Sequence, residues 1–146
     1  MEATKSPLQL RLVDIPVFKL HYRIDKIKDF EKFKADYSVD LDFDVLETDK
    51  GEDELYMLRL RVWVNKNKRN AYFKIEMQIQ GVFEFIEKLG EEKRTRLLIF
   101  NGFSMLYSFV RGYIYAKLDG IPPDLRVLPT INLLKTLKKK LEIDAG

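Results

Sequence analysis

The chain has 146 residues, of which 46% are hydrophobic, 12% aromatic and 34% charged, and its net charge is +3. That is the size of one domain, 1–146, too small for two independent cores and too apolar for a disordered chain. It contains no cysteine, which excludes a disulfide framework, a thiolate metal site and a thiol nucleophile and makes a reducing compartment the simplest home.

The N-terminal stretch Met1 to Pro7 lacks a basic region followed by an apolar one, so no secretory signal is read there and a cytoplasmic location is expected. From Leu8 to Ile24 apolar residues alternate, with Leu8, Leu10 and Leu12 in one phase and Phe18, Leu20, Tyr22 and Ile24 in a matching phase beyond an interruption. This predicts a long strand broken at Pro16, which cannot donate to a ladder and belongs at an edge or a bulge. A charged connection, Asp25 to Asp36, contains Ile27, Phe30 and Phe33. Strict alternation follows, with Val39, Leu41, Phe43 and Val45 on one face and Asp40, Asp42 and Asp44 on the other.

After a turn over Thr48 to Glu54, Leu58, Leu60, Val62 and Val64 alternate with Arg59, Arg61 and Trp63. Antiparallel pairing would set the aspartate row beside the arginine row, each such pair contributing roughly 0.2 to 1 kcal/mol to the register. A basic turn from Asn65 to Asn70 leads into a fourth strand, Ala71 to about Phe85, with Phe73, Ile75, Met77, Ile79, Phe83 and Phe85 in phase. The strands therefore occupy about 8–85.

A helical period then sets in, giving helix 1 at about 91–118. Phe103, Leu106, Tyr107, Val110, Ile114 and Leu118 make one stripe, while Met105, Phe109, Tyr113 and Tyr115 fill most of the remaining surface. One four-stranded sheet covers only one side of such a helix, so its other cover is expected from another subunit. The stretch Leu97 to Leu118 also has the length of a membrane span, but Arg111 and Lys117 within it are costly in lipid, and no membrane insertion is expected. Asp119-Gly120 and Pro122-Pro123 end the helix, an extended link runs from Leu125 to Pro129, and Leu133, Leu134, Leu137 and Leu141 mark helix 2 at about 131–142. Four strands followed by two helices predict an α+β fold, an antiparallel sheet with helices on one face.

Chemistry-bearing residues are sparse. The one histidine, His21, sits between Leu20 and Tyr22 with no triad or ligand cluster near it in sequence and is expected to face solvent. Asp40, Asp42 and Asp44 lie in a spread strand row without the glycine turn of a calcium loop, so no metal is expected. Ser104 and Ser108 lack a neighbouring base, and no glycine-rich phosphate loop is present. No catalytic residue and no cofactor are assigned. Lys66, Lys68 and Arg69 with Trp63 and Tyr72 offer phosphate contacts and stacking, against the plainer reading of a solubilising turn.

Several segments resemble the SecB family of export chaperones. Leu58-Arg59-Leu60-Arg61-Val62-Trp63-Val64 is similar to that family's third strand, and Ala71-Tyr72-Phe73 with Gln80-Gly81-Val82-Phe83 to the start and exit of its fourth. Asn101-Gly102-Phe103 through Arg111 is similar to the opening of its long helix, and Asp119-Gly120-Ile121-Pro122-Pro123 through Pro129 to its link into the last helix. The resemblance runs from about Leu8 to Leu137 and implies a dimer of dimers, a homotetramer with helices held between two sheets. It implies an ATP-independent holdase for unfolded or non-native polypeptides, including preproteins in export. Its client groove would be lined by Ile27, Phe30, Phe33, Leu41, Phe43, Ile131, Leu133, Leu134 and Leu137, and its subunit interface by Phe103, Met105, Leu106, Phe109, Val110 and Tyr113.

The chain departs from the family at three places. Its sheet face is interrupted by Arg59, Arg61 and Lys74, where the family presents acids to a translocation motor; Asn101-Gly102 stands in place of a Cys-Pro break; and little sequence follows Leu141. Docking of a motor is left open, as is service to a toxin–antitoxin system instead of export. The alternative from another class is a hot-dog thioesterase, which needs a carboxylate facing its central helix; there is no acid between Glu92 and Asp119. A nucleic-acid-binding sheet is a third reading and would bind with a steep salt dependence, but no nucleic acid partner is expected.

Overall fold

The computed structural model describes residues 1, 10–24, 38–46, 55–68, 73–86, 88–121, 123–132, 135, 136 and 138–140. Its strands are β1 (Leu10–Ile24), β2 (Val39–Leu46), β3 (Leu55–Val64) and β4 (Phe73–Phe85), all antiparallel neighbours in the order β1-β4-β3-β2. β1 and β2 are therefore the two edges. The predicted break falls where Pro16 stands: the β1–β4 register shifts between Leu12 and Asp14 and again between Asp14 and Val17. An edge strand tolerates the missing amide, and the Asp14 carboxylate accepts a hydrogen bond from the Ile15 amide inside the irregularity.

The alternation of the sequence becomes an inner and an outer face. Leu58, Leu60, Val62, Val64, Phe73, Ile75, Met77, Ile79 and Phe83 are buried on the inner one. Outside, Asp40, Asp42 and Asp44 pair in register with Trp63, Arg61 and Arg59, as the charge pattern predicts. Asn65 closes this end of the sheet. Its backbone takes the left-handed conformation, φ 57, which asparagine tolerates better than most residues. Its side chain accepts from the Ser38 amide and donates to the Phe73 carbonyl, both at 3.0 Å, tying β2, β3 and β4 together.

On the inner face lies α1 (Glu91–Lys117), a 27-residue helix that is long and apolar enough by composition to cross a membrane. Glu91 and Glu92 occupy its first turn, where acids complement the helix dipole. Its middle, Leu98–Gly102, is π-helical. The wider turn lies where Gly102 passes the sheet: a β-carbon there would stand 2.5 Å from Leu58 Cδ1. One turn on, Leu106 packs into the gap over Gly81, whose own β-carbon would lie 2.7 Å from Leu106 Cδ2. Leu58 and Gly81 are cross-strand partners, so a knob and a hole on the sheet face a hole and a knob on the helix, one helical turn apart.

At the end of α1 the Leu118 carbonyl accepts from the Ile121 amide and the Arg126 guanidinium, whose plane lies 4.3 Å from the Tyr115 ring centre. The extended link expected over Leu125 to Pro129 is corrected in its first part: Pro123–Arg126 forms the short helix α2, proline being favourable at a first helical position. Residues 135, 136 and 138–140 are helical, and Asn132 caps them, its side chain accepting from the Lys135 amide at 3.0 Å.

Candidate functional site

The edge strand β2 and the C-terminal helical segment meet at Lys140. Its ammonium lies 2.6 Å from Asp42, 3.4 Å from Asp44 and 5.1 Å from the centre of the Phe43 ring. Asp44 is shared with Arg59, whose guanidinium approaches to 2.8 Å. The Arg59 hydrogen bond holds the Asp44 carboxyl below its ordinary value, against desolvation and with help from Lys140. Burial works against the Lys140 ammonium, but its hydrogen bond to Asp42 and the charges of both aspartates outweigh that and raise its pKa. Asp42 and Asp44 are thus neutralised from within the chain.

Beneath it, the Phe43 and Phe103 rings are 4.5 Å apart, which joins the edge strand to α1. Leu41 is half-buried against the core, whereas Val45, in the same phase, is 51% exposed. A second junction fixes the link after α2. Tyr107 donates to the Pro129 carbonyl at 2.6 Å and Arg111 to the Leu128 carbonyl at 3.1 Å. Desolvation raises the Tyr107 pKa despite the nearby Arg111 charge. Beside them a cavity of about 120 Å³ is lined by Ser104, Tyr107, Ser108, Arg111, Thr130 and Ile131.

No protein-family model and no curated protein matches this chain. Among solved structures, the SecB-like chaperone Rv1957 of Mycobacterium tuberculosis, in complex with a ChAD peptide from the Rv1956 HigA1 antitoxin, matches with a TM-score of 0.53 at 16% identity. The match covers 85% of this chain and 91% of that one. The chain has the SecB-like fold. The likeness bears out the fold expected from the strand and helix segments.

Of the residues expected to line the client groove of a SecB-like fold, Phe43 is 7% exposed and Leu41 and Ile131 are half-buried. Ile27, Phe30, Phe33, Leu133, Leu134 and Leu137 lie outside the described residues. The expected interface residues divide. Phe103, Leu106 and Val110 are 2%, 0% and 0% exposed within the single chain, because their stripe faces its own sheet; they are core residues before any subunit is added. Met105 and Tyr113 are half-buried, Phe109 and Tyr115 are each 41% exposed, and Phe18 of β1 stacks edge-on against Phe109 and Tyr113 at 5.9 and 4.6 Å. His21 is exposed, as expected, opposite Glu76. The sequence reading missed Lys140; its partners lie in β2, and no local spacing signals them.

Proposed function

We propose that the chain is a cytoplasmic holdase that binds unfolded or non-native polypeptide through apolar surface, without ATP, cofactor or covalent chemistry. The observation that carries this reading is the fold it shares, over 85% of its length, with a chaperone solved with a bound peptide. Exposed apolar side chains support it: Val45 on the edge strand β2, and Val127 beside the link after α2, 51% and 48% exposed. An extended client at such an edge gains main-chain hydrogen bonds and any apolar side chain it buries, at roughly 25 cal/mol per Å², which favours breadth over sequence specificity. Client binding is assigned to Leu41, Phe43, Val45 and Ile131 with the apolar residues of the 25–37 connection and helix 2.

The working form is a homotetramer, a dimer of dimers. Phe109 and Tyr115 on the outward side of α1, with the long edge strand β1 carrying Val13, Tyr22 and Ile24 at 43 to 48% exposure, supply the apolar area that such an assembly covers. Among possible duties, holding a partner of a toxin–antitoxin system is favoured over motor-coupled export. The neighbour's peptide is from an antitoxin, and here Asp42 and Asp44 are already paired with Lys140 and Arg59, so these two acids are engaged within the chain.

Light scattering with a titration of a reduced, permanently unfolded protein tests this. A tetramer that binds it with or without nucleotide is expected, and a monomer that binds nothing would reject the reading. Turnover of an acyl thioester by the same preparation would reinstate the enzyme alternative.

A further inference from the structure

Ser104, Tyr107, Ser108 and Arg111 recur at helical spacing along one side of α1, where they line the cavity of about 120 Å³ together with Thr130 and Ile131 of the link. Two of these side chains hold the link in place: Tyr107 Oη donates to the Pro129 carbonyl and Arg111 Nε to that of Leu128. Those bonds orient the guanidinium and engage the carbonyls beside it. What the cavity then offers is the terminal N–H groups of Arg111 and the hydroxyls of Ser104, Ser108 and Thr130. Thr95, earlier on α1, returns its hydroxyl to the carbonyl four residues back at 3.0 Å, whereas among the described residues Ser104 and Ser108 make no such bond. No acid lines the cavity, and among the described residues no carboxylate forms an ion pair with Arg111.

We propose that this cavity binds the carboxylate of an acidic side chain carried by an otherwise apolar client segment, with Arg111 as its cationic partner. With Nε committed to the link, the end-on pair of terminal nitrogens remains to meet two carboxylate oxygens, and hydroxyls that turn to donate take the remaining lone pairs. The inference rests on the holdase reading and narrows it. Ile131, assigned there to client contact, forms part of the same wall, so an apolar side chain against Ile131 and an acid in the cavity are neighbours along one segment. The volume falls well short of the roughly 300 Å³ at which sites for whole cofactors and drug-sized ligands begin, and it suits the end of a side chain. Breadth towards apolar sequence is thereby joined to a preference for an acid.

The probes are two fluorescent decapeptides of leucine and serine, identical except for a central glutamate or glutamine, measured by anisotropy with the full chain. The glutamate peptide is expected to bind about fivefold more tightly, the partial exposure of Arg111 keeping the effect modest. Arg111→Gln should erase this preference, but it also removes a bond to the link, so Ser108→Asp serves as a second variant. It sets a carboxylate one helical turn from Arg111, and should erase the preference while leaving the glutamine peptide bound as in the wild type. Lys93→Gln, an exposed change of equal charge elsewhere on α1, should keep it. Circular dichroism establishes that each variant is folded. Equal binding of the two peptides by the wild type, a preference that survives Ser108→Asp, or one that falls equally in Lys93→Gln would each overturn the cavity site and leave the holdase reading standing. Binding of neither peptide would reject both. Inorganic phosphate that binds the wild type more tightly than the glutamate peptide does, and is lost in Ser108→Asp, would make the cavity a free-anion site and overturn its assignment to a client.

Discussion

Leu106 Cδ2 occupies the space over Gly81 so closely that a β-carbon on that glycine would lie 2.7 Å from it, with Phe83 and Leu12 at 3.0 and 3.1 Å. Leu106 and Phe83 are each 0% exposed, so neither has room to withdraw. Gly81→Ala should destabilise the chain by about 1 to 3 kcal/mol through overpacking. Pairing it with Leu106→Ala should recover part of the loss, a non-additivity that a double-mutant cycle in urea would measure.

Asn65 makes two side-chain hydrogen bonds, the one to Phe73 buried, from a left-handed backbone position. Asn65→Ala leaves the Ser38 amide and the Phe73 carbonyl short of a partner and adds strain, at a cost of about 2 to 4 kcal/mol. Asn65→Gly removes the strain but does not restore the two hydrogen bonds, so thermal denaturation should rank it between wild type and alanine.

Removing the Tyr107 hydroxyl deletes the hydrogen bond to the Pro129 carbonyl while keeping the ring in place. Tyr107→Phe should cost about 1 kcal/mol and speed amide exchange in residues 130–132 without affecting the sheet. Uniform acceleration across β3 and β4 would contradict this placement of the bond.

The Lys140–Asp42–Asp44–Arg59 cluster sets a pH window. Asp44 titrates below its ordinary 3.8 in the folded chain, so its contribution is complete above that pH and is lost as pH falls through the lowered value. Lys140 titrates above its ordinary 10.5, so its contribution is complete below that pH and is lost as pH rises through the raised value. Urea midpoints of Asp44→Asn and wild type should therefore converge at the acid end, and those of Lys140→Gln and wild type at the alkaline end. Between these limits Lys140→Gln should cost about 1 kcal/mol or less and open the helical segment at 138–140 to exchange.

Much of this fold was legible because a strand with one buried face writes its period directly. The rows Leu58 to Val64 and Phe73 to Phe83 alternate as the burial does, and the opposed Asp and Arg rows foretold the β2–β3 register. Pro16 marked the irregularity in β1. Three features left no such trace. The π-helical stretch Leu98–Gly102 shifts the period for a single turn, too briefly to read against the stripes on either side. Gly81 acts through the side chain it lacks. Lys140 meets Asp42 across 98 positions of sequence, where only tertiary packing brings them together. The apolar stripe of α1 was legible, but which of its residues meet the sheet and which face outward depends on where the helix lies on it.

The most direct test of the account is suppression of aggregation of an unrelated, chemically unfolded enzyme, followed by light scattering without nucleotide. The account predicts that the chain keeps the client soluble near stoichiometric amounts. Val45→Lys combined with Ile131→Gln should lose most of this effect while keeping the mass and the circular dichroism of the wild type. A folded chain that leaves aggregation unchanged at every ratio would contradict it.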